Sequence, residues 1–195
     1  MRRRLPLDGP QRLIGSGLGL VAPERQRMSF RSVNRAGTPG FDSGLQRHHL
    51  LPRQLLTSRA FTPMLDALGR SHVDFEDFRR NGLLLPANDR AVLKIGLPLH
   101  RGPHRDYNAM VIERVGQIEA VWSATRLRAP ECALGVAYER LELLQRALRR
   151  RLLDQQRRLK LNRKDPLGSG FDFSELDKMA ELLWPATQPP ENDPG

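Results

Sequence analysis

The chain has 195 residues, with 32 Lys and Arg against 22 Asp and Glu, a formal net charge of +10 and a sequence pI of about 11.0. Its 39% of apolar residues can fill one modest core, but no apolar run approaches the roughly 20 residues that cross a bilayer, which excludes a membrane-spanning protein. One cysteine, Cys132, excludes a disulfide framework and a thiolate metal cluster. Met1-Arg2-Arg3-Arg4 is followed by Leu5-Pro6-Leu7-Asp8, which is no apolar signal core. The expectation is therefore a cytoplasmic protein, or one delivered by a route other than a Sec signal.

The bases are 28 Arg and 4 Lys, and they are unevenly placed. Residues 1–47 hold 9 bases and 3 acids, residues 138–164 hold 10 and 3, and residues 165–195 hold 1 and 7. Two basic segments around a balanced middle suit a polyanionic partner, DNA or RNA, bound through counterion release; a solvated helix face is the bland alternative.

In chain order, residues 1–40 mix Arg, Gly, Pro and Ser without a sustained period, so they are expected to be largely irregular. Gly15-Ser16-Gly17-Leu18-Gly19 lacks the Gly-Lys-Ser/Thr ending of a phosphate-binding loop. From Arg53 to Gly69 the apolar spacing predicts two short helices, the second capped by Thr62 with Pro63 at its first position. A further short helix is expected over His72–Arg80, a turn at Asn81-Gly82, and an extended segment over Leu83–Pro86. Gly102-Pro103 opens a helix from Arg105 to about Leu127, with Ala109, Val111, Ile112, Val115, Ile118, Val121 and Trp122 at helical spacing. After Ala129-Pro130, residues from Glu131 to about Asn162 read as one long amphipathic helix, with a leucine stripe opposite an arginine face. Residues 165–195 read as an acidic linker, a short helix capped by Ser174, and a tail. Cys132, Trp122 and Trp184 are expected in the core.

Four of the five histidines fall into two groups, His48-His49 and His100 with His104, while His72 stands apart. Neutral imidazole is a common ligand for divalent transition metals, and four imidazoles can supply three ligands and one base. His100 and His104, four apart at a helix mouth, can turn to one side and share an ion. On a strand, neighbouring His48 and His49 point to opposite faces, so one can hold the ion while the other meets a substrate. Arg101 and Arg105 flank the last pair and can hold phosphates, or are ordinary surface arginines.

Three stretches, Arg47-His48-His49-Leu50-Leu51-Pro52, Asn81-Gly82-Leu83-Leu84-Leu85-Pro86 and Leu99-His100-Arg101-Gly102-Pro103-His104-Arg105-Asp106-Tyr107-Asn108, together resemble the AHH nucleases of the HNH and endonuclease VII superfamily, the His-Me finger nucleases. The resemblance implies a small ββα-metal core in a mainly helical α+β protein, lying within residues 41–128 and followed by a long basic helix over 129–164. It implies that His48, His100 and His104 bind one divalent ion (Mg, Mn, Zn or Ni), that His49 is the general base, and that the Asn81 amide orients it. Arg47 stands where the family name records Ala, and adds a possible phosphate contact. The implied function is metal-dependent endonuclease activity on DNA or RNA. The family's common place at the end of bacterial toxins implies an immunity partner, although here the motifs lie mid-chain. The rival reading is a non-catalytic basic nucleic-acid-binding protein with structural zinc. Residues 131–164 are a candidate oligomerisation arm.

Overall fold

The computed structural model describes residues 26–69 and 73–168. The Gly15–Gly19 run, most of the basic N-terminal segment, His72, the Ser174-capped helix, Trp184 and the acidic tail lie outside the described residues. The order is β1 (Leu45–His49), α1 (Gln54–Thr57), α2 (Thr62–Leu68), α3 (Phe78–Asn81), β2 (Gly82–Pro86), α4 (Asp89–Ile95), α5 (Arg105–Thr125) and α6 (Pro130–Leu153). About half the described chain is helical, and the two strands make one small sheet, a mixed α+β architecture.

β1 and β2 run antiparallel, with register from Leu45 opposite Pro86 to His49 opposite Gly82. Three short helices fill the excursion between them. The close pairing at the His49 end needs Gly82, because a Cβ there would meet the Phe78 ring at 2.2 Å. β1 breaks the usual rule for a half-buried strand: its one fully buried side chain is an imidazole, that of His48.

α5 and α6 are joined by only four residues and pack on each other. α5 buries Tyr107, Met110, Val111, Val115, Ile118 and Trp122, three or four residues apart as one helical stripe requires. The buried stripe includes Tyr107 and Met110, while Ala109 is exposed, a small rotation from the expected face. Tyr107 accounts for it, since its hydroxyl donates to the Leu50 carbonyl at 2.8 Å and draws that side of the helix inward. α6 buries Ala137, Leu141, Leu144, Leu148 and Leu152 against the same cluster that holds Leu50, Leu51, Leu55, Met64, Leu65 and Leu85. Its leucine stripe is thus covered within the chain itself.

Several local expectations are corrected. α6 ends at Leu153, well short of Asn162, because Asp154 turns to an extended conformation and its carboxylate accepts the Gln156 and Arg157 backbone N–H groups at 3.0 Å. That local turn outcompetes the helix. Over 73–80 the chain is mostly turn; only Phe78–Asn81 is helical, started by the Asp77 carboxylate accepting from Arg79 N. Asn81 closes that helix rather than opening a turn. Thr62 lies inside α2, and its hydroxyl donates back to the Ser58 carbonyl instead of capping. Cys132 is exposed. Trp122 is 4% exposed, in the core as expected. No helix among the described residues is long and apolar enough to cross a membrane.

Candidate metal centre

Three elements deliver three imidazoles to one point. His48 comes from β1, His100 from the segment between α4 and α5, and His104 from the residue that precedes α5. Gly102, at φ +76°, makes the reversal between the last two, a left-handed conformation that suits glycine. The helix begins at Arg105, so Pro103 lies before it and His104 occupies the N-cap position, two positions ahead of where a helix opened at Pro103 would put it. The ring centroids of His48, His100 and His104 stand 4.8–4.9 Å apart in all three pairs, and one nitrogen from each lies within 4.8 Å of the others.

The ring nitrogens of this cluster are short of partners. His48 is 1% exposed, yet neither of its ring nitrogens has a hydrogen-bond partner, and Nδ1 of His100 is likewise buried without one. Buried polar atoms left unsatisfied are costly, and imidazole lone pairs converging in this way fit a divalent cation. Nδ1 of His104 sits 3.3 Å from the Gly102 carbonyl, which as a donor tautomer leaves Nε2 for the ion. Burial, reinforced by the neighbouring imidazoles, holds His48 well below the ordinary histidine pKa and lowers His100 to about 4. Burial also lowers His104, against the opposing Gly102 carbonyl. All three are therefore neutral, the form that binds metal.

His49 turns away from this cluster and stacks on Phe30, with centroids 3.7 Å apart and planes within 4°. Burial lowers its pKa, Glu76 opposes the shift, and Arg53 and Arg47 add to it, so the ring is a neutral acceptor near pH 7. Its Nε2 has no hydrogen-bond partner. Phe30 is held in place from two sides. Its carbonyl accepts from Arg47 at 2.7 Å, and its neighbours Met28 and Ser29 are tied to Phe78 and Asp77 by main-chain bonds.

Asn81, 0% exposed, acts on the main chain just beyond the histidine pair. Its amide oxygen accepts from Leu51 N at 2.7 Å, its amide nitrogen donates to the Leu51 and Phe75 carbonyls at 3.1 Å, and its own carbonyl accepts from Leu50 N. Gln145 of α6 also reaches the amide oxygen, at 3.4 Å. The Asn81 amide thus clamps the backbone that follows His49. Tyr107 grips the same stretch at the Leu50 carbonyl and packs on His48 at 4.9 Å. Arg101 and Arg105 are exposed beside His100 and His104, whereas Arg47 already bonds the Phe30 carbonyl.

A family model, AHH, described as a nuclease family of the HNH/ENDO VII superfamily with conserved AHH, matches residues 29–146. The chain belongs to the AHH nuclease family. Comparison with curated proteins and with solved structures returned no match. As an AHH nuclease the protein is a hydrolase whose substrate is nucleic acid, and nucleases of this superfamily usually use a divalent metal, for which the three imidazoles provide a place. The AHH match contains both histidine groups, Asn81, and two residues that the motifs did not reveal, Phe30 and Gln145.

Other contributors were missed because they lie in what reads as helix tail and linker. Asp165 accepts from Leu99 N at 2.8 Å and from Arg158 at 3.0 Å, and Arg158 donates to the Leu97 carbonyl at 2.5 Å. His100 is the next residue, and its own N–H donates to the Pro86 carbonyl at 2.7 Å. The loop that carries His100 is therefore pinned between β2 and a segment far along the chain.

Proposed function

We propose that the chain is a metal-dependent endonuclease in which His48, His100 and His104 hold one divalent ion and His49 is the general base. The observation that carries the reading is the division of labour among four imidazoles: three with converging, unsatisfied nitrogens, and a fourth beside them, neutral and fixed by a ring stack. The strand pair and α5 around them support a ββα-metal core.

When bound, the ion supplies Lewis-acid stabilisation of the charge that gathers on the phosphate and on the leaving oxygen. His49 takes a proton from water, whose oxygen forms the new bond to phosphorus as the bond to the leaving oxygen breaks. Phe30 limits rotation of the base, and the Asn81 and Tyr107 bonds hold the backbone on which it sits. Arg101 and Arg105 are placed to take phosphate oxygens beside the ligands. The alternative of a purely structural zinc is disfavoured, since such sites usually close with four ligands including cysteine, and this group has three histidines. A toxin role with an immunity partner rests on the family's common context.

The test is incubation of purified protein with plasmid DNA and with RNA, in EDTA or with Mg²⁺, Mn²⁺, Zn²⁺ or Ni²⁺. His49→Ala is expected to retain metal and lose about 10²- to 10⁴-fold in rate, the usual contribution of a positioned base. His104→Ala is expected to lose both metal and cleavage. Wild-type cutting by His49→Ala removes the base assignment; absence of cleavage with every metal removes the nuclease mechanism.

A further inference from the structure

The segment after α6 folds back as a strap along the ligand loop. Gln155 donates to the Ile95 carbonyl at 2.8 Å, Arg158 to that of Leu97, Asp165 accepts from Leu99 N, and Asn162 donates to the Arg101 carbonyl. Every second residue from 95 to 101 is thus held by a strap side chain. Where the strap passes the start of α5, a cleft of about 410 Å³ opens between Pro103, Arg105 and Asp106 on one side and Leu161 to Lys164 on the other.

The chemistry of this cleft is specific. Arg105, Arg163 and Lys164 face it with one carboxylate, Asp106, leaving an excess of two positive charges over an apolar floor that includes Leu161, 6% exposed. The positions of Arg163 and Lys164 are set by a tight turn, in which the Asn162 side chain accepts from Lys164 N at 2.8 Å and Asp165 N donates to the Asn162 carbonyl at 3.1 Å. Pro103 and Arg105 are the chain neighbours of His104, so the cleft starts within about 4 Å, one Cα step, of a metal ligand. At that range it is one or two phosphates from a bond cut at the metal centre.

We propose that this cleft is a phosphate subsite for the nucleic-acid strand, in which Arg163 and Lys164, with Arg105, hold phosphodiester groups next to the scissile one. Its place beside the scissile bond rests on the nuclease reading above; the binding itself does not. Residues 161–164 lie beyond the span matched by the family model.

The experiment is fluorescence anisotropy of labelled DNA duplex, single-stranded DNA and RNA with the full chain in EDTA, at several salt concentrations. Each phosphate contact contributes about 0.9 to the salt slope on duplex DNA and about 0.7 on a single strand. Arg163→Gln/Lys164→Gln is expected to lower the slope by about 1.8 on duplex and to weaken binding on the order of 50-fold at 0.1 M salt. Arg163→Lys/Lys164→Arg is expected to behave as wild type, and Asp106→Asn to bind more tightly. Arg126→Gln/Arg128→Gln removes the same charge at the other end of α5, roughly 30 Å away, and is expected to leave the slope unchanged. Zinc affinity of the Gln variant is expected to match wild type. The arm with the largest loss identifies the backbone that the cleft holds.

An unchanged slope and affinity in the Gln variant, or an equal loss in the distant control, overturns the subsite, as does a wild-type chain that binds none of the three probes. Cleavage is scored separately with Mn²⁺. If the wild-type chain cuts and the Gln variant keeps its KM and salt slope, the cleft fails while the nuclease reading stands. If the variant loses binding and no metal supports cutting, the cleft stands and the nuclease reading fails.

Discussion

Asp165→Ala tests whether the distant strap governs the metal centre. The Asp165 and Arg158 side chains are 0% and 7% exposed, so removal of the carboxylate leaves a buried guanidinium without its counter-ion and the Leu99 N–H without its acceptor. Breaking one side of a buried pair costs about 3–5 kcal/mol. For a chain of this size each kcal/mol moves the melting temperature by about 2–4 °C, which gives a fall of about 6–20 °C. The effect also reaches His100, because the restraint on its chain neighbour Leu99 is gone while the bond from His100 N to Pro86 remains. Loss of groups that orient metal ligands typically costs about 10- to 100-fold in affinity, and that is the expected change. Asp165→Asn keeps an oxygen for Leu99 N and is expected to fall between. Arg158→Met/Asp165→Leu replaces the ion pair by apolar groups, which recovers stability but not the bonds to Leu97 and Leu99, so its melting temperature rises while its metal affinity stays low. Thermal melts of the metal-free protein and competitive zinc titration read both quantities. A melting temperature within 2 °C of wild type (~1 kcal/mol), or an unaltered zinc affinity, for Asp165→Ala would refute this account of the strap.

Asn81→Ala strips partners from Leu51 N, Leu51 O and Phe75 O, and at about 1–3 kcal/mol for each unsatisfied buried group the denaturation midpoint is expected to drop by the equivalent of roughly 3–9 kcal/mol. Phe30→Leu keeps an apolar side chain but removes the stack on His49; kcat is expected to fall about tenfold, 1.4 kcal/mol, with metal affinity unchanged by isothermal titration. Stability of the metal-free protein is expected to depend on pH through the ligand histidines. Their folded pKa values lie below the unfolded value of 6.5, so the unfolded chain binds more protons at mildly acid pH. Their contribution is complete above about 6.5 and declines as pH falls towards the folded value of His100, about 4. Denaturant titrations between pH 4 and pH 8 measure this, and a flat profile would contradict it.

Charge, helix periodicity and the histidine pairs were legible because each is a local property. The stripe from Val111 through Val115 and Ile118 to Trp122 specifies a buried helix face wherever the helix lies, and imidazoles four apart across a Gly-Pro reversal can meet through local chain geometry. β2 was readable for the same reason, as a leucine run ended by Pro86. The end of α6 was not, because the leucine period continues past Leu153 while the Asp154 side chain forms a competing turn. Cys132 on the outside and Tyr107 on the inside depended on which way each helix is rotated. That rotation is set by partners on other elements.

The sequence by itself determined which chemistry was present, four imidazoles and an excess of arginine, and that the chemistry belonged with helices around a short strand pair. Only the tertiary structure decided which imidazoles meet. It placed Phe30 on His49, directed Asn81 to the Leu50-Leu51 backbone instead of a ring, and brought Arg158 and Asp165 against Leu97 and Leu99. These contacts join residues 19 to 66 positions apart, and no local pattern encodes them. They form because the core leaves each buried polar group one place where it can be satisfied.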